Sequence, residues 1–212
     1  MALFYQHNIN QSTRLAIWRI EEPESFFLKK VPLHQQVTHP YKRLQHLAGR
    51  YLLPLLFDDF PLEEILVADT RKPFLPGEKY HFSISHSGYY AAAIASSQNR
   101  VGIDIEMVSP RIERISHKFL SPEEKAFLQE WELFDQLQLE LTTVLWSAKE
   151  AIFKWHGEGQ VDFRQHMRMK GPLNYSVSEW MQLPFRFEKG ISMPLDLHAR
   201  IFDQLVLAYV AT

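Results

Sequence analysis

The sequence predicts a mixed helix-and-strand protein built as two comparable halves, on three observations. Each half carries one long segment of helical apolar spacing, around Leu44–Leu55 and around Thr142–Trp155. Short runs rich in β-branched and aromatic residues, bounded by turn residues, fall between and after these segments. The charge also divides: residues 1–100 hold 11 basic and 9 acidic groups (+2), and 101–212 hold 12 and 16 (−4). The halves are taken as 1–100 and 101–212, and the charge difference between them hints at an anion and a cation held on opposite sides of one cleft.

In chain order, Thr13–Ile20 reads as a strand. Thr38–Phe57 reads as a helix, with Pro40 in its first turn, Pro54 disturbing its last turns, and Leu44, Leu47, Leu52 and Leu55 on its apolar stripe. Four short strands follow at Ile65–Ala68, His81–Ile84, Tyr89–Ala95 and Arg100–Glu106. Ser121-Pro-Glu-Glu124 is a capping box: the Ser121 hydroxyl caps, Pro122 takes the first helical position and Glu124 reaches back. Thr142–Trp155 is the second long helix, stopped by Gly157 and Gly159. The tail ends in Gln204–Val210, whose unbroken apolar run predicts a strand buried on both faces.

Composition narrows the function classes. With 212 residues and 46% hydrophobic side chains, the chain can build a real core. A net charge of −2 argues against a dedicated nucleic-acid binder, whose phosphate contacts leave a basic domain. The absence of cysteine excludes disulfides, thiolate metal sites and a cysteine nucleophile. No apolar run approaches the ~20 residues of a membrane-spanning helix, and no export signal is read at the start, so a cytoplasmic protein is expected. No HExxH, Walker A or GxGxxG motif occurs.

Three constellations could carry chemistry. In Val101-Gly-Ile-Asp-Ile-Glu106, strand alternation turns Val101, Ile103 and Ile105 to one face and Asp104 and Glu106 to the other. Two carboxylates held this close repel unless a cation or water lies between them, and a hard ion such as Mg²⁺ suits them. The same residues also read as a strand with two ordinary acids on a wet face. In Trp146-Ser-Ala-Lys-Glu-Ala-Ile-Phe-Lys154, four-residue spacing lines Trp146, Glu150 and Lys154 along one ridge. Glu150 and Lys154 read equally as a solvent-exposed helix pair. The third is Lys72-Pro-Phe74 followed by His81-Phe-Ser-Ile-Ser-His-Ser-Gly88, whose terminal turn can offer N–H groups, hydroxyls and an imidazole to a phosphate, or can be a plain hairpin turn.

Taken together and in this order, these pieces resemble the 4′-phosphopantetheinyl transferase family, most closely its long single-chain Sfp/EntD-like branch. The resembling residues are Lys72-Pro73, Phe82-Ser-Ile-Ser-His-Ser-Gly88, Gly102-Ile-Asp-Ile-Glu106, Phe119-Leu-Ser-Pro-Glu-Glu124 and Trp146-Ser-Ala-Lys-Glu-Ala-Ile-Phe-Lys154. Lys42-Arg43 with Leu47-Ala-Gly-Arg50 extends the likeness, which covers about residues 42 to 159. The resemblance implies an α+β fold of two similar halves related by a pseudo-twofold. Its first half would make the coenzyme A nucleotide contacts, and its second would carry the metal and catalytic carboxylates.

The reaction implied is transfer of the phosphopantetheine arm of coenzyme A to a serine of an apo acyl, peptidyl or aryl carrier protein, by a monomer, with release of 3′,5′-ADP. By the same resemblance Asp104, Glu106 and Glu150 would hold Mg²⁺. Glu150 and Lys154 would be catalytic, Glu150 taking the serine proton and Lys154 meeting the pyrophosphate. Arg43, Arg50, Lys72, Ser85, His86 and Lys154 would bind coenzyme A, with either Arg43 or Arg50 on the 3′-phosphate. Carrier recognition is expected on exposed apolar residues around Phe119–Leu128, with Leu120 and Phe127 as its markers. A non-catalytic coenzyme A or carrier-binding module of the same fold is the alternative. A Mg²⁺-dependent phosphohydrolase would account for the carboxylates but not for the Lys72-to-His86 block.

Overall fold

The computed structural model describes residues 3–32, 38–130, 134–172, 175 and 179–212. They form an α+β chain of two compact units, Met1–Ile105 and Glu106–Thr212. The division falls inside a strand, a few residues after the boundary expected at 100.

The first unit contains β1 (Leu3–Asn8), β2 (Thr13–Arg19), a short α1 (Glu24–Leu28), α2 (Pro40–Leu56), the small strands β3 (Leu66–Val67) and β4 (Pro73–Phe74), then β5 (His81–Ser87) and β6 (Tyr90–Ser96). β7 (Val101–Met107) carries the chain across the division. The main sheet runs β1-β2-β6-β5, and β3 pairs with β4 as a separate antiparallel ladder. β1 was not expected: its residues LFYQHN alternate only weakly, and pairing along β2 is what makes it a strand.

α2 starts with Pro40 at its first position, where a missing N–H costs nothing, and the His39 side chain accepts from the Lys42 N–H. The helix continues through Pro54 to Leu56. Its apolar stripe, Leu47, Leu52, Leu53 and Leu56, packs with Trp18, Phe27 and Tyr51 over the small side chains Ala91, Ala93 and Ala95 of β6. Small residues let helix and sheet approach closely. Gly49 is the tightest point, where a Cβ would stand 2.5 Å from Cγ2 of Ile84.

The second unit contains α3 (Pro110–Arg114), α4 (Pro122–Gln129), α5 (Asp135–His156), β8 (Met167–Met169), β9 (Met181–Lys189), β10 (Ile191–Phe202) and β11 (Leu205–Ala211). Its sheet has the order β7-β11-β10-β9-β8. β11 is buried along nearly its whole length, as its apolar run predicts. The capping box forms as read: the Glu124 N–H donates to Ser121 Oγ at 3.2 Å, and the Ser121 N–H donates to Glu124 Oε2 at 2.8 Å. Gly157 ends α5 with φ +73°, a left-handed position that glycine takes without strain. α5 begins at Asp135 rather than Thr142. The alternating Leu137-Gln-Leu-Glu-Leu141 does not read as helical, yet burial of Leu141, Val144 and Leu145 in the core draws these turns into the helix.

Candidate active site

Strand alternation on β5 sorts its side chains. Ser83 and Ser85 are buried on one face, while Ile84 and His86 line a cavity on the other. On the first face Ser83 Oγ accepts from the Ile103 N–H at 3.2 Å, and Ser85 Oγ donates to Asp104 Oδ1 at 2.7 Å. Asp104 is 5% exposed and Glu106 half-buried, which removes the reading of two acids on a wet strand face. Ser85, expected on a coenzyme A phosphate, donates its hydroxyl hydrogen bond to Asp104.

The cavity on the other face has a volume of about 440 Å³. It is lined by His46 and Arg50 of α2, Ile84 and His86 of β5, and Val67, Arg71 and Pro73 around the β3–β4 hairpin. Arg50 Nη1 lies 3.0 Å from His46 Nδ1. A guanidinium only donates, so Nδ1 is the acceptor and the imidazole is the neutral Nε2–H tautomer. Burial, and then the charges of Arg50 and His86, lower the His46 pKa to about 4. Burial also lowers the pKa of the Arg50 guanidinium.

Of Arg43 and Arg50, either of which was expected on the 3′-phosphate, Arg50 lines this cavity and Arg43 is not among its lining residues. Arg43 is clamped by Glu24 of α1, with Nε to Oε1 and Nη2 to Oε2 both at 2.8 Å. Lys72 is half-buried and not among the residues lining the cavity, where its neighbour Arg71 is found. Gln45 is buried and donates to the Gly88 carbonyl at 2.9 Å. Tyr41 donates its hydroxyl to the same carbonyl. Gly88 has φ +50° at the first central position of the β5–β6 turn, which suits glycine. Two side chains from the first turns of α2 thus hold the turn that follows His86.

In the second unit, Trp146, Glu150 and Lys154 follow one another at four-residue spacing on α5, all half-buried. Phe119, Trp146 and Phe163 pack in sequence with tilted rings, their centroids 5.0 and 5.8 Å apart. Beside them lies a cavity of about 330 Å³, with Lys118 and Asp162 at its lining. Phe119 and Leu120 are buried in the core, Leu120 only 3% exposed, so neither forms an exposed docking surface; Phe127 is partly buried. Core packing took these residues because α4 lays its apolar side on α5.

The residues that the sequence reading passed over are His46, Arg71, Tyr41 and Lys149. His46 had a signal, its four-residue spacing from Arg50. Arg71 had none, because its place depends on a left-handed turn. Among the described residues no three His, Asp or Glu side chains form a cluster that could hold a metal ion. Asp104, Glu106 and Glu150 each carry carboxylate oxygens, the kind of donor a hard divalent cation takes.

Comparisons with known proteins agree with the motifs. Residues 100–201 match the model of the 4′-phosphopantetheinyl transferase superfamily. The chain is 34% identical over 128 residues to the 4′-phosphopantetheinyl transferase AcpT of Escherichia coli strain K12, covering 59% of this chain and 64% of that one. It is 34% identical over 143 residues to the 4′-phosphopantetheinyl transferase gsp of Aneurinibacillus migulanus, covering 66% and 56%. A putative 4′-phosphopantetheinyl transferase of Haemophilus influenzae is 30% identical over 128 residues, 58% of this chain and 53% of that one. The match thus spans somewhat less than two thirds of these relatives. Domain match, relatives and motif order agree in pointing to the 4′-phosphopantetheinyl transferase superfamily, to which residues 100–201 are similar.

Proposed function

We propose that this protein transfers the 4′-phosphopantetheine arm of coenzyme A to a serine of an apo carrier protein. The observation that carries the reading is the superfamily match over 100–201, which takes in Asp104, Glu106, Glu150 and Lys154. In the reaction the carrier serine oxygen attacks the phosphorus on the pantetheine side of the pyrophosphate. The bond from that phosphorus to the bridging oxygen breaks, and 3′,5′-ADP leaves with the electron pair. Such a transfer asks the protein for charge neutralisation and alignment more than for covalent chemistry.

Each group then has a task. Asp104, Glu106 and Glu150 would hold a divalent cation, Mg²⁺ in the first instance, which when bound screens the pyrophosphate charge. Ser85 orients Asp104 by its hydrogen bond. Glu150 accepts the serine proton, and Lys154, one turn along α5, supplies positive charge to the departing phosphate. Arg50 and His86 bind phosphate oxygens of coenzyme A from the first unit's cavity. Arg50 is favoured over Arg43 for the 3′-phosphate, since Glu24 already neutralises Arg43. Two halves in one chain favour a monomer with a pseudo-twofold, working in the cytoplasm. No helix among the described residues is long and apolar enough to cross a membrane.

The test is intact-mass spectrometry of several apo carrier proteins incubated with the protein, coenzyme A and Mg²⁺. A mass gain of one phosphopantetheine arm, abolished by a chelator and by Glu150→Ala, is the expected result. Coenzyme A binding with no gain on acyl, peptidyl or aryl carriers would replace this reading with that of a binding module.

A further inference from the structure

Arg71 has φ +66°, a left-handed conformation that a long side chain with a Cβ adopts at a cost. It sits at the tip of the β3–β4 hairpin, in a turn closed by Arg71 N–H to the Ala68 carbonyl at 2.8 Å and Ala68 N–H to the Lys72 carbonyl at 2.9 Å. The turn itself does not need an arginine; glycine or asparagine would fit it with less strain. Arg71 forms no ion pair among the described residues. It nevertheless lines the cavity that Arg50 and His46 enter from α2 and His86 from β5. No carboxylate is among the residues lining that cavity, so its polar groups are two guanidiniums and two imidazoles.

We infer that Arg71 is a phosphate-binding residue, meeting from the β3–β4 hairpin a phosphate dianion of the ligand in the cavity that Arg50 lines from α2. The inference rests on the proposed use of coenzyme A and adds a contact to it. Three features support it. Two permanently charged forks converging on one small space repel each other unless an anion lies between them. Burial disfavours the charge on Arg50, and an incoming anion relieves that penalty. His46 can accept Arg50 only while neutral, which orients the Arg50 fork without adding charge of its own. The hairpin tip is exposed, and among the described residues β3 and β4 pair only with each other in a ladder of two residue pairs, so Arg71 sits where a bound phosphate can reach it. A guanidinium suits this task because its paired N–H groups match two phosphate oxygens at once.

The left-handed backbone makes the test sharp, because Arg71→Gly and Arg71→Asn both remove the guanidinium while suiting the turn. Isothermal titration of wild type and both variants with coenzyme A, dephospho-coenzyme A and inorganic pyrophosphate, alongside thermal melts, reads the two effects separately. The expected result is coenzyme A binding weakened roughly ten- to hundredfold, with melting temperatures equal to or above wild type. A loss seen with coenzyme A but not with dephospho-coenzyme A places the 3′-phosphate at Arg71; a loss seen with both places the pyrophosphate there. Unchanged affinity in both variants would overturn the inference. So would a wild type that takes up none of the three probes, or melting temperatures lowered in both variants, which would make Arg71 a support of the turn. Weakened binding in the variants, with a wild type that transfers nothing to any carrier, would leave Arg71 in place and reject the transfer.

Discussion

Glu124 of α4 and Lys149 of α5 form an ion pair at 2.6 Å with neither side chain exposed to solvent. The pair is fully satisfied: Lys149 Nζ also donates to the carbonyls of Phe119 at 2.7 Å and Phe163 at 2.9 Å. Glu124 in turn accepts from the N–H of Ser121 and of Met169, at 2.8 and 3.0 Å. Burial is the main cause that lowers the Lys149 pKa, and the Glu124 carboxylate opposes that shift. Two sequence motifs, Phe119–Glu124 and Trp146–Lys154, are thereby joined by one buried contact, and Lys149 fixes the rotation of the helix that presents Glu150.

Removing one partner strands a buried charge. Lys149→Met should lower unfolding free energy by roughly 3–5 kcal/mol, measured by urea denaturation. The double variant Lys149→Met with Glu124→Gln should lose clearly less than the sum of the two single losses. Additive losses would show that the two side chains do not support each other.

Ser85→Ala removes the hydroxyl that donates to Asp104 and leaves that buried carboxylate short of a donor, at about 1–3 kcal/mol of stability. If Ser85 acts through Asp104, the Mg²⁺ concentration needed for half-maximal transfer should change severalfold. Coenzyme A affinity measured without metal should stay near wild type. A loss of coenzyme A affinity with an unchanged Mg²⁺ requirement would instead put Ser85 on the phosphate.

His46 has an ordinary pKa of 6.5 lowered to about 4 by burial and by Arg50 and His86. Between those values the unfolded chain binds a proton that the folded chain refuses, so His46 makes stability fall as pH drops from about 6.5 towards 4. The urea midpoint of wild type should therefore fall more steeply between pH 7 and 5 than that of His46→Gln. Parallel curves for the two proteins would mean that His46 titrates normally.

Gly49→Ala would place a methyl 2.5 Å from Ile84 Cγ2, closer than packed atoms tolerate. Ile84 is branched at Cβ and cannot swing aside without a rotamer change, so α2 and β5 must part or Ile84 must enter the cavity it lines. A loss of about 1–3 kcal/mol is expected in chemical denaturation, together with weaker coenzyme A binding in titration. A stable variant with wild-type binding would show that the helix and strand yield freely.

Local signals were legible in the sequence because their physics is local. The Ser121 cap, the Gly157 stop and the apolar β11 are each decided by a few neighbouring residues. The strand read at His81–Ile84 runs on to Ser87, and that extension is what sets Ser85 and His86 on opposite faces of β5. The order of motifs was enough to point to the family. Tertiary structure alone decided the partners. The motifs left Arg43 and Arg50 as equal candidates for the 3′-phosphate, but α1 brought Glu24 to Arg43, and the fold left Arg50 to the cavity. Lys149 reads in sequence like any helix lysine, and burial against Glu124 made it structural. Arg71 gained its place beside Lys72 from a left-handed turn that depends on hairpin closure. Periodicity fixes which way a side chain faces; what it meets there is set by segments distant in the chain.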